Sequence, residues 1–217
     1  MASNKDSAIL PGWWNLFPWI LAMVVIGVGF TVWFETMSFT FKVVSLYQVF
    51  PIIGILAWSI MWTHFIVGEI RRLIPSLPKH KPYHRTSTAI VIWLVLLHPM
   101  ILAIEQLRQG FGLPPLSYFA YAGEASIPYV ILGMLGLTGF LFFEVIARFK
   151  ENPKVVRLWW LVNFTQTIAM ASIFYHALVL GSDMHSGWFR SYWIVLGLLL
   201  TPCLVHQHWE DLKNFKK

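Results

Sequence analysis

The chain has one cysteine, Cys203, in 217 residues. With a single thiol no internal disulfide can close, and no cysteine-based zinc or iron–sulfur site can be assembled. Charge is the second scarcity. Asp, Glu, Lys and Arg make up only 12% of the residues while 57% are hydrophobic, and the mean hydropathy is +0.63. A water-soluble domain carries about 25% charged residues to cover its surface. A third absence is any glycine-rich dinucleotide fingerprint, and no stretch between the apolar runs is long enough for a soluble domain. A flavin or NAD(P) site is therefore not expected within this chain. Internal repeats and low-complexity tracts are also missing.

The few charges are confined to short stretches. Between them lie six charge-free runs, 7–34, 43–68, 86–104, 125–143, 158–182 and 191–209, of 28, 26, 19, 19, 25 and 19 residues. Each approaches or exceeds the roughly 20 residues that cross a hydrocarbon core of about 30 Å as helix. Buried helices of soluble proteins rarely sustain such runs, and transmembrane barrel strands alternate polar and apolar residues, which these do not. The expected fold class is all-α, a single integral membrane domain over 1–217 with six transmembrane helices. Their expected positions are 13–33, 46–66, 86–104, 128–146, 158–181 and 192–206. The first run is too long for a signal-peptide core and ends in no small-residue cleavage pattern, so it is expected to be retained. The proline-rich basic segment from Pro75 to Arg85 is expected to be a rigid connection rather than helix.

The net charge is +6, with a pI near 9.6. Basic loops that orient a membrane protein explain this balance without nucleic acid. Thirteen of the sixteen basic residues fall at the N-terminus, in the second and fourth connections and in the C-terminal tail, leaving Lys42, Arg108 and Arg190 on the other side. The positive-inside rule then gives N-in, C-in topology, with the basic loops cytoplasmic in a cell membrane.

Eight histidines are present. Ionisable residues inside a span are costly and point to function. His98 and His176 lie well inside the third and fifth expected spans, which run in the same direction, so the two imidazoles reach comparable depth in the outer half of the membrane. One from each helix can supply the axial ligands of a low-spin haem. The competing explanation is two unrelated core histidines, each bonded to a neighbouring carbonyl. His84 lies 14 residues before His98, about 21 Å along the same helix and near the same face. Its matching partner on the fifth span would fall at Asn163, an amide that is not an ordinary haem ligand. His64, at the end of the second span, stands at the depth of His84 and is the alternative inner ligand. His80 is expected to be solvated, His185, His206 and His208 to be interfacial, and Glu144 to pair with Arg148 one helical turn on.

The stretch from His84-Arg85 to His98-Pro99 resembles the third helix of the ferric reductase-like transmembrane domain superfamily. That superfamily includes ferric reductases, NADPH oxidases and the haem subunit of bacterial methionine sulfoxide reductase. Its members open this helix with His-Arg and place a second histidine at the same spacing, often before proline. In the family's fifth-helix frame, which starts here at Trp159, Asn163 replaces the first histidine and His176 falls at the second. The resemblance covers roughly spans two to five. It implies b-type haem and electrons passing from a flavin, quinol or NAD(P)H-linked partner to an acceptor on the outer side.

Together these observations lead us to expect an electron-transfer subunit of an oxidoreductase that holds one haem b through His98 and His176. A second haem through His84 and His64 stays open. Arg108 or Arg190 could pair a propionate of the outer haem, and Arg85 one of an inner haem. Expected partners are membrane lipid, a redox protein or subunit, and a quinone, with no nucleic acid. The alternative is a non-redox membrane anchor or assembly subunit with degenerate haem sites. A small transporter ranks below both, because the spans lack paired broken helices.

Overall fold

The computed structural model describes residues 13–37, 45–77, 80–185 and 187–215. Lys5, Lys42, Lys79, Lys216 and Lys217, on which the charge asymmetry partly rests, lie outside the described residues. Among the described residues eight α-helices follow one another: α1 Trp13–Thr36, α2 Leu46–Leu73, α3 Lys81–Arg108, α4 Leu116–Ala122, α5 Ile127–Ala147, α6 Pro153–Arg157, α7 Trp159–Leu180 and α8 Trp188–Phe215. Two single-turn 3-10 segments precede α5 and α8, and no strand occurs among the described residues.

Five of these helices, α1, α2, α3, α5 and α8, are long and apolar enough to cross a membrane. The remaining long helix, α7, has 22 residues, about 33 Å at 1.5 Å per residue, and falls where the fifth span is expected. Asn163, Thr165, Gln166, Thr167, Ser172 and His176 make it too polar to belong with the five. Large apolar side chains such as Met23, Trp93 and Leu198 face outward, each about two-thirds exposed. That inside-out distribution suits hydrocarbon, where an exposed apolar side chain costs nothing.

Several helices overrun the charge-free windows. α2 continues to Leu73, α8 to Phe215, and α3 starts at Lys81 within the proline-rich segment that was expected to be non-helical. Proline explains the last departure. Pro82 sits in the first turn of α3, where its missing N–H would have had no acceptor and its fixed φ already suits a helix. His84 and Arg85 are therefore helical residues.

The long helices pair in sequence order. α3 packs along α2, α7 along α5, and α8 lies against both α2 and α7, with α1 outside α2. At the centre, Trp58 of α2 stands 4.1 Å from Trp193 of α8 and 5.9 Å from Phe174 of α7, measured between ring centroids. Trp62 donates from Nε1 to Leu196 O at 2.8 Å, tying α2 to α8. Such rings combine a large buried area with a polar tip that needs a partner.

The α5–α7 contact has a different basis. Gly133, Gly136 and Gly139 form a stripe on α5 that faces α7. A Cβ on Gly136 would lie 3.2 Å from Ala169 O, and one on Gly139 would lie 3.1 Å from Ala169 Cβ. With no side chain between them the two backbones approach closely, the small-residue packing that holds helices together where the hydrophobic effect does not operate. Gly136→Val should destabilise the protein by about 1–3 kcal/mol through overpacking, read as a lower thermal midpoint in detergent. Gly27→Ala, at a position with open space around it, should leave the midpoint unchanged or raise it.

Candidate functional site

His98 and His176 are held by the same device on two different helix pairs. His98 Nδ1 lies 2.7 Å from the carbonyl oxygen of Phe50 on α2, and His176 Nδ1 lies 2.8 Å from that of Tyr129 on α5. A carbonyl can only accept, so in each ring Nδ1 carries the proton and donates it. The imidazole is thereby fixed as the neutral tautomer with a free lone pair on Nε2, the form in which histidine binds a metal.

Glycine makes both bonds feasible. Four residues beyond each accepting carbonyl, on the same helix face, stand Gly54 and Gly133. A Cβ at Gly54 would come 2.9 Å from His98 Cε1 and Nδ1, and one at Gly133 would come 2.6 Å from the same atoms of His176. Each ring therefore lies flush on a bare stretch of the neighbouring backbone. Both histidines are half-buried.

The two rings share one end of the bundle. His98 lies 17 residues past Lys81, the start of α3, and His176 17 residues past Trp159, the start of α7. Their carbonyl partners are the fifth residue of α2 and the third of α5. Because α2 and α5 begin where α3 and α7 end, both rings sit towards the α3–α4 loop. The two rings make no stacking contact with one another. Over this end, α4 bonds back to α3 through Tyr118, whose hydroxyl donates to Pro99 O at 2.8 Å.

The three arginines differ. Arg190 donates to Met184 O at 2.9 Å and Leu178 O at 3.3 Å, so its guanidinium lies at the end of α7, two residues beyond His176. Arg108 is 71% exposed and pairs with Glu105 at 3.5 Å, on the solvent side of α3. Arg85 is exposed at the opposite end of α3.

At that opposite end, His64 and His84 have ring centroids 4.9 Å apart. His64 Nε2 is bonded to Ser87 Oγ at 2.5 Å. In this arrangement the two rings are in contact with one another. The cleft beside His64, lined by Thr88, Glu144, Gln166 and Met170 among others, measures about 30 Å³, roughly the share of one water. Asn163 is 6% exposed and donates through Nδ2 to Asp211 Oδ2 at 2.8 Å. The Asn163 side chain thus fastens α7 to α8.

Other polar groups at this end were missed in the sequence. His208 Nε2 bonds Thr167 Oγ1 at 2.8 Å, and His206 bonds the buried Glu69 of α2, which also holds Arg72 at 2.7 Å. The spacing of His206, His208 and Asp211 along α8 was the available signal, since it places three polar residues on its last turns. His80 is the clearest departure. Expected in solvent, it is 5% exposed and packs at a tilt against Trp14 of α1, with ring centroids 5.0 Å apart. Glu144 faces the cleft, with Arg148 near it but beyond ion-pair distance. No group of three His, Cys, Asp or Glu suited to a metal ion occurs among the described residues.

Comparison with protein-family models, curated proteins and solved structures finds no match to this chain.

If the Asn163–Asp211 bond fastens α7 to α8, Asn163→Leu and Asp211→Leu should each destabilise the protein, and their coupling in a double-mutant cycle should be about 1 kcal/mol. Additive effects in thermal or denaturant unfolding would show that the bond contributes nothing.

Proposed function

We propose that the chain is a membrane-embedded b-type cytochrome that holds one haem through Nε2 of His98 and Nε2 of His176. The observation that carries this reading is the repeated seating of the two rings. A carbonyl bond alone would equally suit two unrelated core histidines, so the weight rests on the glycine seat that both rings share and on their common end of the bundle. Here each spends its one N–H on a helix carbonyl above a glycine, at the same end of the bundle, and keeps its metal-binding nitrogen free. A carbonyl bond at Nδ1 orients an imidazole ligand and raises its basicity.

Bound there, haem would supply a one-electron carrier in a low-dielectric interior. The chain's own residues do the rest. Phe50 O and Tyr129 O hold the ligand tautomer, and Gly54 and Gly133 leave room for the rings. Arg190 offers a guanidinium at the same end for a carboxylate on the group. The crowded His64–His84 end supports one haem rather than two. Electrons would come from a flavin, quinol or NAD(P)H-linked partner and leave to an acceptor on the outer side. The topology that goes with this proposal counts α7 as a sixth span and places both termini and the basic loops in the cytoplasm.

One observation favours a second reading, a non-redox anchor or assembly subunit: Asn163 has a structural bond of its own and no ligand role. A visible spectrum separates the two. Purified protein, reduced with dithionite, should show low-spin b-type bands at about one haem per chain. His98→Ala and His176→Ala should each abolish them, whereas His84→Ala and His185→Ala should leave haem content near its original level. Gly54→Ala and Gly133→Ala should lower haem content by displacing a ring. A protein purified without haem, and unable to take it up on reconstitution, would favour the anchor. For the topology, a reporter fused after Lys217 should be active only in the cytoplasm.

A further inference from the structure

Away from the histidine pair, the junction of α2 and α3 encloses a pocket of about 250 Å³ lined by Val67, Gly68, Arg71, His80, Lys81 and His84. Four of these six side chains are cationic or can become so, and no carboxylate lines the pocket. The nearest candidate, Glu69, is already bonded to Arg72 and His206. Two residues that line it carry a buried nitrogen without a hydrogen-bond partner among the described residues, Nε of Arg71 and Nε2 of His80. Buried polar atoms are nearly always satisfied, so a pair of orphans in one pocket asks what satisfies them. The backbone adds to the demand. His80 is the N-cap of α3 and its side chain caps nothing. The first N–H of the helix to find an intrahelical acceptor is that of His84, bonded to His80 O at 3.0 Å. The N–H groups of Lys81 and Tyr83 are left without one, at the positive end of a 28-residue helix.

We propose that this junction is a phosphate-binding pocket, in which Arg71, His80, Lys81 and the first turn of α3 hold the phosphate group of an ester or of the free ion. Phosphate suits the donors in kind and number. Its several oxygens can accept from a guanidinium, an ammonium, imidazole N–H groups and helix N–H groups at once, and helix N-termini bind it for this reason. A divalent cation is excluded by Arg71 and Lys81. Burial first, and the Arg71 charge second, depress the His80 pKa, as expected where cationic groups crowd with no anion to relieve them. Volume agrees as well, since about 250 Å³ is several times the ~30 Å³ share of a water. The site joins two apolar helices at their ends, the level of lipid headgroups, so the phosphate could be borne by a lipid or be free.

The test uses the full chain in maltoside micelles, which contain no phosphate. One arm titrates inorganic phosphate at constant ionic strength against sodium chloride. The other adds phosphatidylglycerol, with a diacylglycerol of the same acyl chains as its control. A saturable rise in the thermal midpoint is expected in at least one arm, about 3–6 °C at ten times the Kd. Arg71→Gln and Lys81→Gln should each remove most of the rise, and Lys150→Gln should keep it. A response to both probes, or to phosphate alone, identifies the free ion as sufficient, and a response to phosphatidylglycerol alone identifies the headgroup. No saturable rise in either arm, or an equal rise in Arg71→Gln, overturns the proposal. Should the variants fail to fold, the phosphorus resonance of each probe is followed with the unsubstituted protein. It must broaden with added protein in at least one arm, and an unchanged linewidth in both overturns the proposal equally.

Discussion

The architecture depends on how closely two helices can approach when one of them presents glycine. In α5 the stripe Gly133, Gly136 and Gly139 brings α7 against bare backbone, and the same stripe ends under the ring of His176. Gly54 of α2 does the corresponding service for His98. Helix packing and the seating of the two imidazoles are therefore one constraint. A residue with a Cβ at either of the two seats would move the ring and break its bond to the carbonyl. Within apolar surroundings that bond has no water to replace it, so the tautomer depends on the contact.

The two ends of the bundle solve the same problem of buried polar groups in opposite ways. Towards the α3–α4 loop, His98 and His176 each make one bond and keep one nitrogen free. Towards the α2–α3 loop, the polar groups bond to one another: His64 with Ser87, Asn163 with Asp211, Thr167 with His208, and Glu69 with His206 and Arg72. These pairs link α2 to α3, α7 to α8 and α2 to α8, so that end is cross-braced by side chains. Satisfied networks rigidify, whereas a free lone pair held in place is a binding capacity. The junction pocket at Arg71 and His80 is the exception at the braced end, since its donors outnumber its acceptors.

Much of the fold could be read from the sequence, because long charge-free runs leave helices as the only economical way to satisfy the backbone in lipid. The ends of the helices could not. Charge marks where the apolar window stops, but a helix runs on into the interface, as α2 does to Leu73 and α8 to Phe215. The segment around Pro82 was misread because proline forbids the interior of a helix and favours its first turn, and sequence alone did not say which applied. His98 and His176 stood out by type and position. Their glycine and carbonyl partners did not, since a backbone carbonyl has no sequence signature. His80 was misplaced for a related reason. A basic loop reads as solvated, and only the folded chain brings Trp14 of α1 over it.

Asn163 shows how a buried amide is satisfied between two helices. Left unpaired, its N–H donor would cost about 1–3 kcal/mol. Asp211, about five-sixths of a turn beyond His208 on α8 at 3.6 residues per turn, supplies the acceptor at 2.8 Å. The neighbouring Thr167–His208 bond, one turn along the same pair of helices, completes the seam. At this end the seam between α7 and α8 is closed by bonds between side chains, whereas at the other end His98 and His176 each bond only a backbone carbonyl of the neighbouring helix.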